Sequence, residues 1–177
     1  MTLSVRRSVA ALAVGAALVL AGCGSARADR AAVVDGTVIP EDTLQTAMDE
    51  VNRMEPALLQ QALTPSGTLT ALVQAPVVLD YLADKGVVVS ESMATQQARD
   101  RGIAEPSEGT LSVIRLASAI TAAQQSGQFS DADAIALTEQ LRALDVEVNP
   151  RYGEYDAETA SIQVGTPEWL APAEPEQ

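Results

Sequence analysis

The sequence predicts a mainly α fold: a helical bundle with a short β pairing between strands near the two ends of the domain. Three observations carry that prediction. Apolar residues recur at spacings of three and four through the middle of the chain, which sets them on single helix faces. Serine, proline and glycine stand where such helices would start and stop. Strand-like patterns lie only towards the ends, in the β-branched runs around Asp35-Gly36 and in the alternation of Asp145-Val146-Glu147-Val148-Asn149.

Val33-Val34 and Thr37-Val38-Ile39 flank Asp35-Gly36. This pair favours a hairpin with a type I′ turn, because glycine accepts positive φ. Pro40 suits the first turn of a helix, where no amide hydrogen is needed, and Glu41 and Asp42 suit its positive end. Leu44, Ala47, Met48, Val51 and Met54 share one face of that helix. Pro56 marks a break, Ala57 to Leu63 a short apolar piece, and Thr64-Pro65-Ser66-Gly67 a turn. A helix from Thr68 to Lys85 turns Leu69, Leu72, Val73, Leu79 and Leu82 inward. Pro76 cannot bond the carbonyl of Leu72, so a kink or two shorter helices are expected, and Gly86 caps the end.

Ser90 caps a helix over Glu91 to Arg101, closed by Gly102. Ser107 or Thr110 opens the next. Its Leu111, Val113, Ile114, Leu116 and Ile120 occupy more than one face, as in a centrally buried helix, and Gly127 ends it. Ser130-Asp131-Ala132-Asp133 resembles a capping box with Asp in place of Glu, starting a helix through Ile135, Leu137, Leu141 and Leu144. Asn149-Pro150 stops the strand that follows. Arg151 to Asp156 reads as turn-like and Ser161-Ile162-Gln163-Val164 as another short strand. The strands at the two ends are expected to pair beside the helices.

Upstream of all this, Leu20-Ala21-Gly22-Cys23 places small residues before a lone cysteine, directly after the apolar run Ser8 to Leu20 and the charged Arg6-Arg7. That run is too short for a permanent span, which needs about 20 residues. The stretch is similar to bacterial lipoprotein signals. The resemblance implies a cleaved signal peptide over 1–22, diacylglycerol on Cys23 and a lipidated tether over 23–30. It also implies a location at the cell membrane, anchored on its extracytoplasmic face. The competing reading, Cys23 as an apolar residue inside an uncleaved anchor helix, fits poorly with the polar Gly24-Ser25-Ala26-Arg27 that follows at once. Cys23 is the chain's one cysteine, so no internal disulfide can form.

Composition narrows the function classes. The formal net charge is −13, and all 24 acidic residues lie beyond Cys23. Such a surface repels nucleic acid and anionic headgroups. Histidine is absent, which removes serine–histidine and cysteine–histidine catalysis and the commonest zinc ligand. No cofactor, small-molecule substrate or enzymatic activity is expected.

The opening Val34-Asp35-Gly36-Thr37-Val38-Ile39 resembles the strand and Val-Asn-Gly-like turn that begin the N-terminal module of SurA-type and foldase-type extracytoplasmic chaperones, with Asp where the family often has Asn. The closing Val146-Glu147-Val148-Asn149-Pro150-Arg151-Tyr152-Gly153 is similar to the end of SurA-like actinobacterial lipoproteins. The resemblance implies a helical domain over 31–164, followed by a flexible tail over 165–177. No room remains for the parvulin-type isomerase domain of complete members. It therefore implies a chaperone-like protein that binds unfolded or exported polypeptides without catalysis. The alternative is an accessory or structural envelope lipoprotein with one dedicated protein partner.

Polar candidates have two readings each. Arg151-Tyr152 can form a recognition edge for extended peptide, or Arg151 can pair with a local acid while Tyr152 covers the open end of the domain. Trp169 can latch onto the body or anchor a partner. Met48, Met54 and Met93 can line an adaptable groove or fill the core. Asp131 and Asp133 read as helix caps rather than metal ligands, and Glu154, Asp156 and Glu158 as a solvated acidic turn. Glu41-Asp42 and Asp49-Glu50 are adjacent on a helix and point apart, which makes them poor acid–base pairs.

Overall fold

A computed structural model describes residues 29–127 and 129–165. The predicted signal peptide, Cys23, most of the tether, Trp169 and nearly all of the tail lie outside the described residues. Within them the fold is mainly α. Five helices, α1 (Glu41–Asn52), α2 (Pro65–Asp84), α3 (Glu91–Asp100), α4 (Glu108–Ser126) and α5 (Asp131–Arg142), stand between strands β1 (Arg30–Val34) and β2 (Thr37–Pro40) and strands β3 (Val146–Val148), β4 (Glu154–Asp156) and β5 (Ser161–Gln163).

The expected pairing of the two ends is present. β1 is the centre of a three-stranded antiparallel sheet in the order β2-β1-β3, with Ala32 opposite Val148, Val33 opposite Glu147 and Val34 opposite Val146. Asp35 and Gly36 have φ of 48° and 80°, the positive pair a type I′ turn demands. Asp35 also fastens β3 at its start. Its amide donates to the Asp145 carbonyl at 2.9 Å, and its carboxylate accepts the Asp145 amide at 3.0 Å.

Side-chain caps start four of the helices, at Ser90, Ser107 and Ser130 as their sequences foretell and also at Thr64, and Ser130 with Asp133 forms a full capping box. α4 packs against α1, α2 and α3 and is the central helix. Its Leu111, Val113, Ile114 and Leu116 are buried on several sides. Where α1 crosses it, a Cβ on Gly109 would sit 3.0 Å from Ala47 Cβ and 3.1 Å from the Thr43 carbonyl oxygen, so the two helices approach closely at this glycine. One apolar cluster joins α1, α3 and the sheet to the first half of α2 and α4. A second joins the later halves of α2 and α4 to Leu141 of α5.

Five expectations need correction. Thr64-Pro65-Ser66-Gly67 is not a free turn: Thr64 accepts the Gly67 amide at 3.1 Å as the N-cap of α2, with Pro65 in its first turn. Pro76 does not split α2, which runs unbroken over 20 residues. A mid-helix proline costs roughly 3 kcal/mol, whereas each fully buried aliphatic side chain contributes about 1.5–3 kcal/mol. Leu69, Leu72 and Val73 before Pro76 and Val78 and Leu82 after it are all buried, so packing prevails. Pro40 ends β2 and caps α1 instead of entering its first turn. Glu154–Asp156 is a strand, because Ser161–Gln163 lies antiparallel to it. Ile135 and Ile120 are exposed: α5 buries only Leu141 fully, and α4 turns Ile120 away from the core.

Candidate functional site

The predicted Arg151-Tyr152 pair is held by a turn that Asn149 builds. The Asn149 amide and side chain donate to the carbonyls of Ala31 and Arg30, each at 2.9 Å, and its own carbonyl accepts the Tyr152 amide at 2.9 Å. Arg151 Nη1 then reaches both carboxylate oxygens of Glu41 at 2.8 Å, and its guanidinium stands 6.0 Å from the Tyr152 ring centre. Tyr152 is buried against α1, and its hydroxyl accepts from Gln45 Nε2 at 3.2 Å. Burial, with the Glu41 carboxylate adding to it, raises the Tyr152 phenol above its ordinary value. The pair therefore closes the end of the domain, although the acid that Arg151 meets is the distant Glu41 and not a local one.

Some of the acidic candidates are also committed to the fold. Asp133 accepts from Lys85 at 2.6 Å, from the Tyr81 hydroxyl at 2.9 Å and from Ser130, which joins the end of α2 to the start of α5. Lys85, then Ser130, hold the Asp133 carboxyl well below the usual range. Asp156 accepts the Glu158 amide and the Thr159 hydroxyl, an acceptor role that likewise lowers its pKa, with Thr159 the larger cause. Glu41 and Asp42 point to different partners, Arg151 and the Thr43 amide. Among the described residues no three acids meet as a metal-ligating group. Met54 is core, Met48 half-buried and Met93 exposed, so the methionines do not form one stripe.

A site that the sequence did not mark lies between α2, α3 and α4. The 12 residues joining α1 to α2 fold back over these helices, and Asn52 fixes the fold. Its side chain donates to the Leu63 carbonyl at 3.0 Å and accepts the Leu63 amide at 2.7 Å, as a strand neighbour would. The Glu55 amide bonds to the Arg101 carbonyl at 3.1 Å. Leu58, Leu59 and Leu63 of the segment face Leu116 and Ile120 of α4 across a groove of about 640 Å³. Arg101, at the end of α3, is the one charged residue in its lining, and its Nε is buried with no hydrogen-bond partner. A buried donor without an acceptor is costly, and Arg101 brings the groove its one cationic side chain. The available signal was Leu58-Leu59 in a segment without helix caps, where apolar residues have no helical face to fill.

No family model matches the chain, and neither the curated proteins nor the solved structures contain a match to it. Among the described residues no helix is long and apolar enough to cross a membrane.

Proposed function

We propose that this is a lipid-anchored, extracytoplasmic chaperone-like protein that binds unfolded or exported polypeptides without catalysis. The observation that carries the reading is the groove of Leu58, Leu59, Leu63, Leu116 and Ile120, with Arg101 as its one charged lining residue. It offers apolar contact of low specificity, which any unfolded segment with apolar side chains can use. A formal charge of −13 keeps copies of the protein apart and disfavours acidic clients, so apolar segments flanked by basic residues suit it best. Lipid on Cys23 would keep this groove next to newly exported chains. A diacylglyceryl group supplies the two acyl chains that stable anchoring takes.

The test is suppression of aggregation of a denatured client by the domain from Ala26 onward, compared with a Leu59→Asp, Ile120→Asp variant. Both residues lie at the groove and outside the fully buried core, so the variant should fold. Suppression by the parent and its loss in the variant are expected. No suppression at several-fold molar excess removes the reading. Crosslinking in cells then separates many clients from one dominant adduct, the mark of an accessory lipoprotein with a dedicated partner.

A further inference from the structure

Leucine, alanine, valine and isoleucine make up most of the wall of the groove between α2, α3 and α4, and Arg101 is the one charge in it. That arginine stands apart from most other basic side chains. Arg53, Arg99, Arg115 and Arg142 each donate to a backbone carbonyl, and Lys85 and Arg151 pair with acids. The Arg101 side chain has neither kind of partner among the described residues, although acids outnumber bases 24 to 11 in the chain. Its Nε is buried, which leaves the two Nη groups as the donors open to a ligand. Polar neighbours in the lining are already engaged: Ser118 donates to Gln97 at 3.0 Å and Thr121 to the Ala117 carbonyl at 2.8 Å.

A lone guanidinium in an apolar groove selects its counterpart, one negative group carried on an apolar body. Away from bulk water, its two-pronged bonds to a carboxylate strengthen. In a polypeptide the end of the chain meets that pattern. The α-carboxylate, of ordinary pKa about 3.5, is ionised at neutral pH and stands directly beside the last side chain. Acidic side chains meet it less well, because a segment holding several is repelled by the net charge of −13. The volume of about 640 Å³ suits a short segment, within the roughly 300–1,000 Å³ of ligand clefts.

We propose that this groove takes the C-terminal end of an exported polypeptide, its last apolar side chains between Leu59 and Ile120 and its α-carboxylate on Arg101. The inference rests on the chaperone reading of the groove and names the part of the client that is held.

The probe is a short, fluorescently labelled peptide of lysines followed by apolar residues, made with a free carboxyl end and with a carboxamide end. Anisotropy reads its binding to the chain from Ala26 onward, which keeps every described residue. The free acid should bind at least about tenfold tighter than the amide, the weight of charge-assisted hydrogen bonds. Arg101→Gln should abolish that preference and leave amide binding unchanged, which also shows that the variant is folded. Leu59→Asp, Ile120→Asp should lose both peptides, and binding that survives there overturns the inference. Equal binding of the two peptides by the parent, or a preference that survives Arg101→Gln, overturns it and leaves the groove reading standing. So does binding of neither peptide by a parent that still suppresses aggregation. Binding of neither, with no suppression, removes both. Palmitate held through Arg101 while the free-acid peptide stays unbound overturns the inference in favour of a lipid acid.

Discussion

The carboxylate of Glu50, near the end of α1, accepts the Thr110 hydroxyl at 2.6 Å and the Ser107 amide at 2.9 Å, and so sits on the positive end of α4. Thr110 is fully buried and Ser107 is the N-cap, so one acid ties the first helix to the start of the central one.

Glu50→Gln should lower stability by about 1–2 kcal/mol, the range for losing charge-assisted hydrogen bonds, as read from the urea midpoint. Desolvation alone would raise the pKa of Glu50, but the bonds from Thr110 and Ser107 outweigh it and the net shift is downward from 4.5. A depressed folded pKa stabilises fully above the unfolded value and fades as pH falls through the folded one. The parent should therefore lose stability below about pH 4.5, and Glu50→Gln should lose less over that window.

Gly153→Ala should be far more damaging than Gly86→Ala, although both glycines have positive φ. A Cβ on Gly153 would lie 2.1 Å from the Gln163 carbonyl oxygen, whereas one on Gly86 meets open space. Strain alone accounts for about 1 kcal/mol at Gly86. At Gly153 the clash adds to it, and unpairing of β4 from β5 is the expected outcome, visible as faster amide exchange across that hairpin.

At the closed end of the domain the two neighbours should separate cleanly. Arg151→Ala breaks an ion pair whose arginine side chain is 51% exposed, so its cost should stay below about 1 kcal/mol. Tyr152→Ala empties a buried aromatic site and should cost about 3–5 kcal/mol, while Tyr152→Phe loses one hydrogen bond, about 1 kcal/mol. Denaturant midpoints of the three variants check the order.

Alkaline titration should show all three tyrosines ionising above their ordinary value of 10 in the folded state. Burial is the leading cause in each, followed by Asp133 for Tyr81, Glu41 for Tyr152 and Asp156 for Tyr155. Lys85 is raised too, by its hydrogen bond to Asp133. Raised folded values favour the protonated forms, so their contribution is complete below pH 10 and is lost as pH rises through the folded values. Tyrosinate absorbance should therefore appear at higher pH in the native protein than in urea, with unfolding on the alkaline side.

Much of the architecture was legible from local chemistry. A type I′ turn at Asp35-Gly36 and caps at Ser90, Ser107 and Ser130 are decided within three or four residues, and the Leu44, Ala47, Val51 face by a period. The candidate site was less legible. Arg151 and Tyr152 could be singled out, but their partner Glu41 lies 110 residues away, and only that contact assigns them to closing the domain. The groove was hidden because its wall is a segment without periodicity, placed by the Asn52–Leu63 clamp and the Glu55 amide.

By itself, then, the sequence determined where helices begin, which faces are apolar and that strands lie at both ends. Those properties rest on neighbours within one turn or one hairpin. The tertiary structure alone decided that α2 continues through Pro76, that Ile120 and Ile135 face outward, and that Leu58, Leu59 and Leu63 wall a groove. Each of those outcomes sets a local preference of a few kcal/mol against burial summed over surfaces far apart in the chain, and the larger sum decides.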